Sequence, residues 1–158
     1  MEIASQIRNR LGENWLPQIY RDKIRTLRTR SIVLNVPPRE NEAEIQHTLL
    51  GVELKVGNKR LACPDLSTAR YLQVFARLGC EAVAVPYDIT KISTFADELE
   101  SAWQRTLLLF EEFVKEKAAA VKGRLRSGLI KEIRSEIAEI GAGEKMPEFK
   151  QTTKQRGS

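Results

Sequence analysis

Between Gly51 and Asp88 the sequence GVELKVGNKRLACPDLSTARYLQVFARLGCEAVAVPYD changes its apolar spacing twice within 38 residues. Leu50, Val52, Leu54 and Val56 alternate with other residues, Gly57-Asn58 offers a tight turn, and Lys59 to Cys63 returns, so Ile45 to Cys63 reads as a hairpin. Period two then gives way to period 3.6. Pro64-Asp65-Leu66-Ser67 is a helix entry, and Tyr71, Val74, Phe75 and Leu78 form a helical apolar stripe that Gly79 stops. CEAVAVPYD is a nearly continuous apolar run, as expected for a central strand covered on both faces.

The flanks add helices. Ile3, Ile7 and Leu11 sit at helical spacing before Gly12, and a second helix is expected from Asn14 as cap, with Pro17 in its first turn, to about Thr29. SIVLNV reads as a strand ended by Pro37-Pro38, and RENEAE as a loop or the polar start of the next strand. After Asp88, Phe95, Leu99, Trp103, Leu107, Phe110 and Val114 lie on one helical stripe, and Leu125, Leu129, Ile133, Ile137 and Ile140 on another that closes at Gly141. The expected fold is α/β (α+β), with a central mixed sheet of about four strands in α-β-β-β-α-β order and long C-terminal helices. Residues 1–30 would be N-terminal helices, 31–92 the core, 93–141 a helical extension and 142–158 a tail, all of one domain.

Composition bounds the chemistry. No window approaches the length of uncharged apolar chain that crosses a bilayer, and MEIASQIRNR carries acid and Arg where a signal peptide needs an apolar core, so a cytoplasmic protein is expected. Cys63, Cys80 and the single His47 cannot build a four-ligand zinc site, and both cysteines read as small buried hydrophobes. No phosphate-cradling glycine loop, Gly-x-Ser-x-Gly elbow or His-based triad is present. Asp65 and Asp88 stand where helix caps belong. The net charge of +5 is uneven: residues 21–30 hold five Lys or Arg against one Asp, residues 115–134 hold seven against two Glu, and residues 31–92 balance at seven each. Basic segments flanking a neutral core suit a polyanion. The candidate nucleic-acid contacts are Arg25, Arg28, Arg30, Lys59, Arg60, Arg70, Lys122, Arg124 and Arg126. DNA is the expected partner, with RNA the alternative and no membrane.

Glu53 and Lys55 project from one strand face, two residues apart. A carboxylate there can hold a hard divalent ion, and the ammonium can orient a water and steady a phosphorane-like charge. A second carboxylate is needed, and Glu40, Glu42 and Glu44 lie just upstream. The triplet Glu-x-Lys recurs at Glu148-Phe149-Lys150, so its position matters more than its spelling. The strand bearing Glu53-Leu54-Lys55, followed by a turn, the return KRLACP, the helix STARYLQVFARLG and the strand EAVAVPY, resembles the core of the PD-(D/E)xK nuclease superfamily over about residues 31–88. Within it the order looks most like small Holliday-junction-resolvase-like endonucleases. That resemblance implies a Mg²⁺- or Mn²⁺-dependent phosphodiesterase in which Glu53 ligates metal and Lys55 assists the water. The family's preceding Asp falls where this chain has Glu40 and Glu42.

The leading expectation is therefore a metal-dependent DNA endonuclease with Glu53 and Lys55 catalytic and Glu40, Glu42, Glu44 and Glu53 as candidate ligands. The alternative is a non-catalytic nucleic-acid-binding or oligomeric assembly module. On either reading a homo-oligomer through the C-terminal helices is expected, although Trp103, Phe110, Phe113 and the Ile/Leu stripe of residues 125–140 could instead cover the sheet.

Overall fold

A computed structural model of the 158-residue chain describes residues 2–143. The second Glu-x-Lys triplet, Glu148-Phe149-Lys150, and most of the expected tail lie outside those residues. The architecture is α+β: helices α1 (Glu2–Leu11) and α2 (Leu16–Ile19), strands β1 (Thr29–Val33), β2 (Glu44–Thr48), β3 (Gly51–Val56) and β4 (Lys59–Cys63), helix α3 (Leu66–Leu78), strand β5 (Ala82–Pro86), and the long helices α4 (Ile92–Val114) and α5 (Ala119–Ile140). The N-terminal helix stops at Gly12, whose φ of 56° suits glycine. The next begins after Trp15 rather than Asn14 and widens into a π turn over Tyr20–Ile24, where the Arg25 N–H reaches the Tyr20 carbonyl. That turn ends the helix before the expected Thr29, which opens β1.

The five strands do not form one mixed sheet. They divide into an antiparallel pair, β1 with β5, and an antiparallel meander, β2-β3-β4. The reason lies at Ala84, in the middle of β5. Its N–H donates to the Tyr20 hydroxyl at 2.9 Å and its carbonyl accepts from the Tyr71 hydroxyl at 2.6 Å. Two phenols thus occupy the backbone groups that a further strand would need. β5 keeps the burial expected of it, with Val83, Ala84 and Val85 fully inside. β1 ends at Val33, and Asn35 at φ 55° turns the chain ahead of Pro37-Pro38.

Helix α3 packs against the inner face of the meander. Asp65 caps it by accepting from the Thr68 N–H at 2.8 Å, and Gly79 ends it at φ 78°. RENEAE is a loop up to Ala43. It is fastened to the end of α3: the Asn41 N–H donates to the Arg77 carbonyl, the Asn41 amide to the Ala76 carbonyl, and Gln73 and Arg77 donate to the Ala43 carbonyl. Gly79 is where the two backbones meet, since a Cβ there would lie 2.3 Å from the Arg39 carbonyl oxygen. The helices α4 and α5 divide at residues 115–118, and α5 runs on through Gly123 and Gly128. Most of their stripe residues lie in this chain's own core, with Trp103 and Phe110 7% and 1% exposed, and Leu107, Phe113, Leu125 and Ile140 pack against it partly buried. Among the described residues no helix is long and apolar enough to cross a membrane.

Candidate functional site: the polar face of the meander

The register of the meander decides which side chains meet. Glu44 pairs with Lys55 and Gln46 with Glu53, while Lys55 pairs with Arg60 and Glu53 with Ala62 across β4. Directly opposed residues point to the same side of a sheet, so Glu44, Gln46, Glu53, Lys55 and Arg60 share one face. The other face presents Ile45, Val52, Leu54, Leu61 and Cys63, of which Leu54 and Cys63 are buried against the core. The alternation is required: a slip by one residue would put Glu53 and Lys55 into α3.

On the polar face Arg60 is the organiser. Its Nη1 donates to Glu53 Oε1 and to Gln46 Oε1, both at 3.0 Å. The Arg60 side chain is 52% exposed and that of Glu53 27%, so the pair contributes little to stability and yields readily to a competing charge. Glu44 stands diagonal to Glu53, with α-carbons about 7–8 Å apart, a separation that long side chains span. Lys55 lies between the two acids, opposite one and two residues along from the other.

The remaining upstream acids go elsewhere. Glu40 is held by a two-pronged ion pair from α5, with Arg126 Nε to Oε1 at 2.8 Å and Nη2 to Oε2 at 2.7 Å. That carboxylate also raises the Arg126 pKa. Glu42 is exposed in the same loop and lines an open cleft of about 650 Å³ with Arg39, Glu40 and the Gly57-Asn58 turn. Of the three candidates, only Glu44 joins the face of Glu53 and Lys55.

Mg²⁺ commonly takes one or two protein carboxylates and completes its shell with water and substrate phosphate oxygens. Glu44 and Glu53 are the two carboxylates that share this face. Among the described residues no cluster of three or more His, Cys, Asp or Glu offers a fuller protein cage.

Several predicted cationic contacts are already engaged. Arg70 is bound by Glu100 and by Asp97, which together raise its pKa. Arg126 serves Glu40, and Arg60 serves Glu53. Arg25 donates to the Thr29 hydroxyl at 2.9 Å, and its Nε is buried without a partner. Arg28 lies over the Tyr87 ring at 5.0 Å, and Arg30, Lys59 and Arg124 are exposed, with Lys122 partly so. Tyr71, at 0% exposure, belongs to the core.

Asp88 caps the turn after β5, accepting from the Thr90 N–H at 3.1 Å and from its hydroxyl at 2.6 Å, and those bonds lower its pKa. Both cysteines are reduced and buried, and burial pushes the Cys80 thiol up to about 12. No protein-family model, curated protein or solved structure matches the chain.

Proposed function

We propose that the polar face of the meander is a phosphodiesterase site that cleaves nucleic acid, DNA first, with a divalent cation held by Glu44 and Glu53. The observation that carries this reading is the strand register, which sets Glu44 opposite Lys55 and one step diagonal from Glu53. Bound there, Mg²⁺ would neutralise phosphate oxygens and acidify a coordinated water. Lys55 would orient the attacking water and steady the negative charge that gathers at phosphorus. Arg60 would take a non-bridging phosphate oxygen, for which its planar fork is suited. Water oxygen bonds to phosphorus as the ester oxygen departs. The proton lost by the water is balanced by the one the departing oxygen takes up.

The same Arg60 contact supports a second reading. A Glu53 already satisfied by Arg60 and a Gln46 sharing that donor also describe a non-catalytic sheet face that grips a polyanion through Lys55, Lys59 and Arg60. Incubation of supercoiled, linear, nicked, branched and single-stranded substrates with Mg²⁺ or Mn²⁺ separates the two. The enzymatic reading expects nicking that Lys55→Ala and Glu53→Gln each reduce at least a hundredfold, with melting curves unchanged. Intact substrates throughout, together with salt-sensitive binding, would leave only the second.

A further inference from the structure

A second open cleft, of about 400 Å³, lies between the loop before β2 and the helices. Glu40, Glu42 and Glu44 line it from the loop and the start of β2, Arg77 from α3, Trp103 from α4 and Arg126 from α5. Trp103 is only 7% exposed, yet among the described residues its indole N–H has no protein partner and is not closed off from solvent. An indole sunk this deep usually finds an acceptor, as Trp15 does in donating to Glu136 at 2.9 Å. The Trp103 N–H instead opens to the cleft that the residue lines. In the same cleft the Arg77 guanidinium makes one hydrogen bond among the described residues, at 3.3 Å to the Ala43 carbonyl, which leaves donors to spare.

We propose that this cleft binds a small zwitterion, a free α-amino acid, with its carboxylate on the Trp103 N–H and the Arg77 guanidinium and its ammonium on Glu42. The charges of the lining select that class. Glu40 and Arg126 neutralise each other through their two-pronged pair. Glu42 and Glu44 are exposed and have no cationic partner among the described residues. A free phosphate or a nucleic-acid strand would meet those two carboxylates at like charge, whereas a simple amine would meet the positive ends of the indole and the guanidinium. A ligand carrying both charges on one carbon answers both sides. A guanidinium takes a carboxylate on two donors at once, which fixes the ligand's direction. The volume lies within the roughly 300–1,000 Å³ of small-molecule sites. The loop is already fastened to α3 through Asn41 and Gln73, so little ordering is left for the ligand to impose. Glu44 belongs to the cation site proposed above, and the ammonium is therefore given to Glu42 alone.

The test titrates the whole chain with the common free amino acids, read by calorimetry and by tryptophan fluorescence. Trp15 is buried and bonded to Glu136, so a ligand-dependent change in emission reports Trp103. At least one amino acid should bind at millimolar concentration or below, and its N-acetyl derivative and the amine lacking its carboxylate should each bind at least about tenfold more weakly. Trp103→Phe keeps a ring in the core and removes the N–H, and should weaken binding by about tenfold or more. Glu42→Gln, on the exposed loop, should do the same with the melting midpoint unchanged. If Trp103→Phe does not fold, Glu42→Gln and the two derivatives decide the matter. Equal binding of either derivative, or full binding by Glu42→Gln or by folded Trp103→Phe, overturns the proposal. Inorganic phosphate binding in place of amino acids would assign the cleft to an anion and overturn it too, as would the absence of any binding at millimolar amino acid.

Discussion

At Glu53 one carboxylate accepts from Arg60 while sharing its face with Lys55. Arg60→Ala removes a half-exposed ion pair, so unfolding in urea should shift by less than about 1 kcal/mol. Cleavage should fall much further, because the same guanidinium is assigned to the substrate phosphate; an equal loss of stability and activity would show that Arg60 only supports the sheet. Cys80 gives a second prediction at this scale. Its thiol moves from an ordinary 9.0 to about 12 on folding. The folded chain therefore holds its proton more tightly, and the stability this provides is complete below about pH 9 and lost as pH rises toward 12. Thiol reagents at pH 8 should leave Cys80 unmodified until the protein unfolds, and Cys80→Ala should flatten the decline in stability between pH 9 and 12.

Among the elements, β5 and the loop before β2 make the sharpest claims. Tyr71→Phe strands the Ala84 carbonyl and Tyr20→Phe the Ala84 N–H, each inside the core. Leaving one such group unpaired costs about 1–3 kcal/mol, to be read from the denaturation midpoint. Gly79→Ala should cost more than the about 1–2 kcal/mol of left-handed strain alone, since its Cβ would also strike the Arg39 backbone. That variant should loosen the loop carrying Glu40 and raise hydrogen exchange at Asn41.

The elements also show where sequence reasoning reached. β3, the Gly57-Asn58 turn, β4 and α3 with its Asp65 and Gly79 caps were legible because period, turn chemistry and capping are local. The position of Glu44 was half legible: it lies two residues before Gln46 on the alternation, but fixing its partner required locating the turn. Leu50, apolar and in phase with Val52, read as strand, and only the register places it at the tip. The two-sheet division was not legible, because it depends on hydroxyls from Tyr20 and Tyr71 reaching β5 from 64 and 13 residues away. Nor were the engagements of Arg70 and Arg126, whose carboxylates lie up to 30 and 86 residues distant in the chain.

Across the whole molecule, the charge of +5 overstates the cations open to a polyanion. With Arg70 and Arg126 paired to carboxylates and Arg25 bonded to Thr29, the candidates left for phosphate are Arg28, Arg30, Lys59, Lys122 and Arg124, while the polar face supplies Lys55 and Arg60. Each residue that contacts a phosphate should, on replacement by Ala, flatten the logarithmic salt dependence of binding by about 0.9. Arg70→Ala should leave that slope unchanged and lower stability instead. The account as a whole rests on Glu44 and Glu53 acting as one cation site beside Lys55. The most direct measurement is the rate of DNA cleavage as a function of Mg²⁺ concentration for the unsubstituted chain and for Glu44→Gln. Cleavage that requires Mg²⁺, with a large rise in the concentration needed once Glu44 is replaced, is the predicted result. Superimposable curves for the two proteins, or intact DNA at every Mg²⁺ concentration, would contradict it.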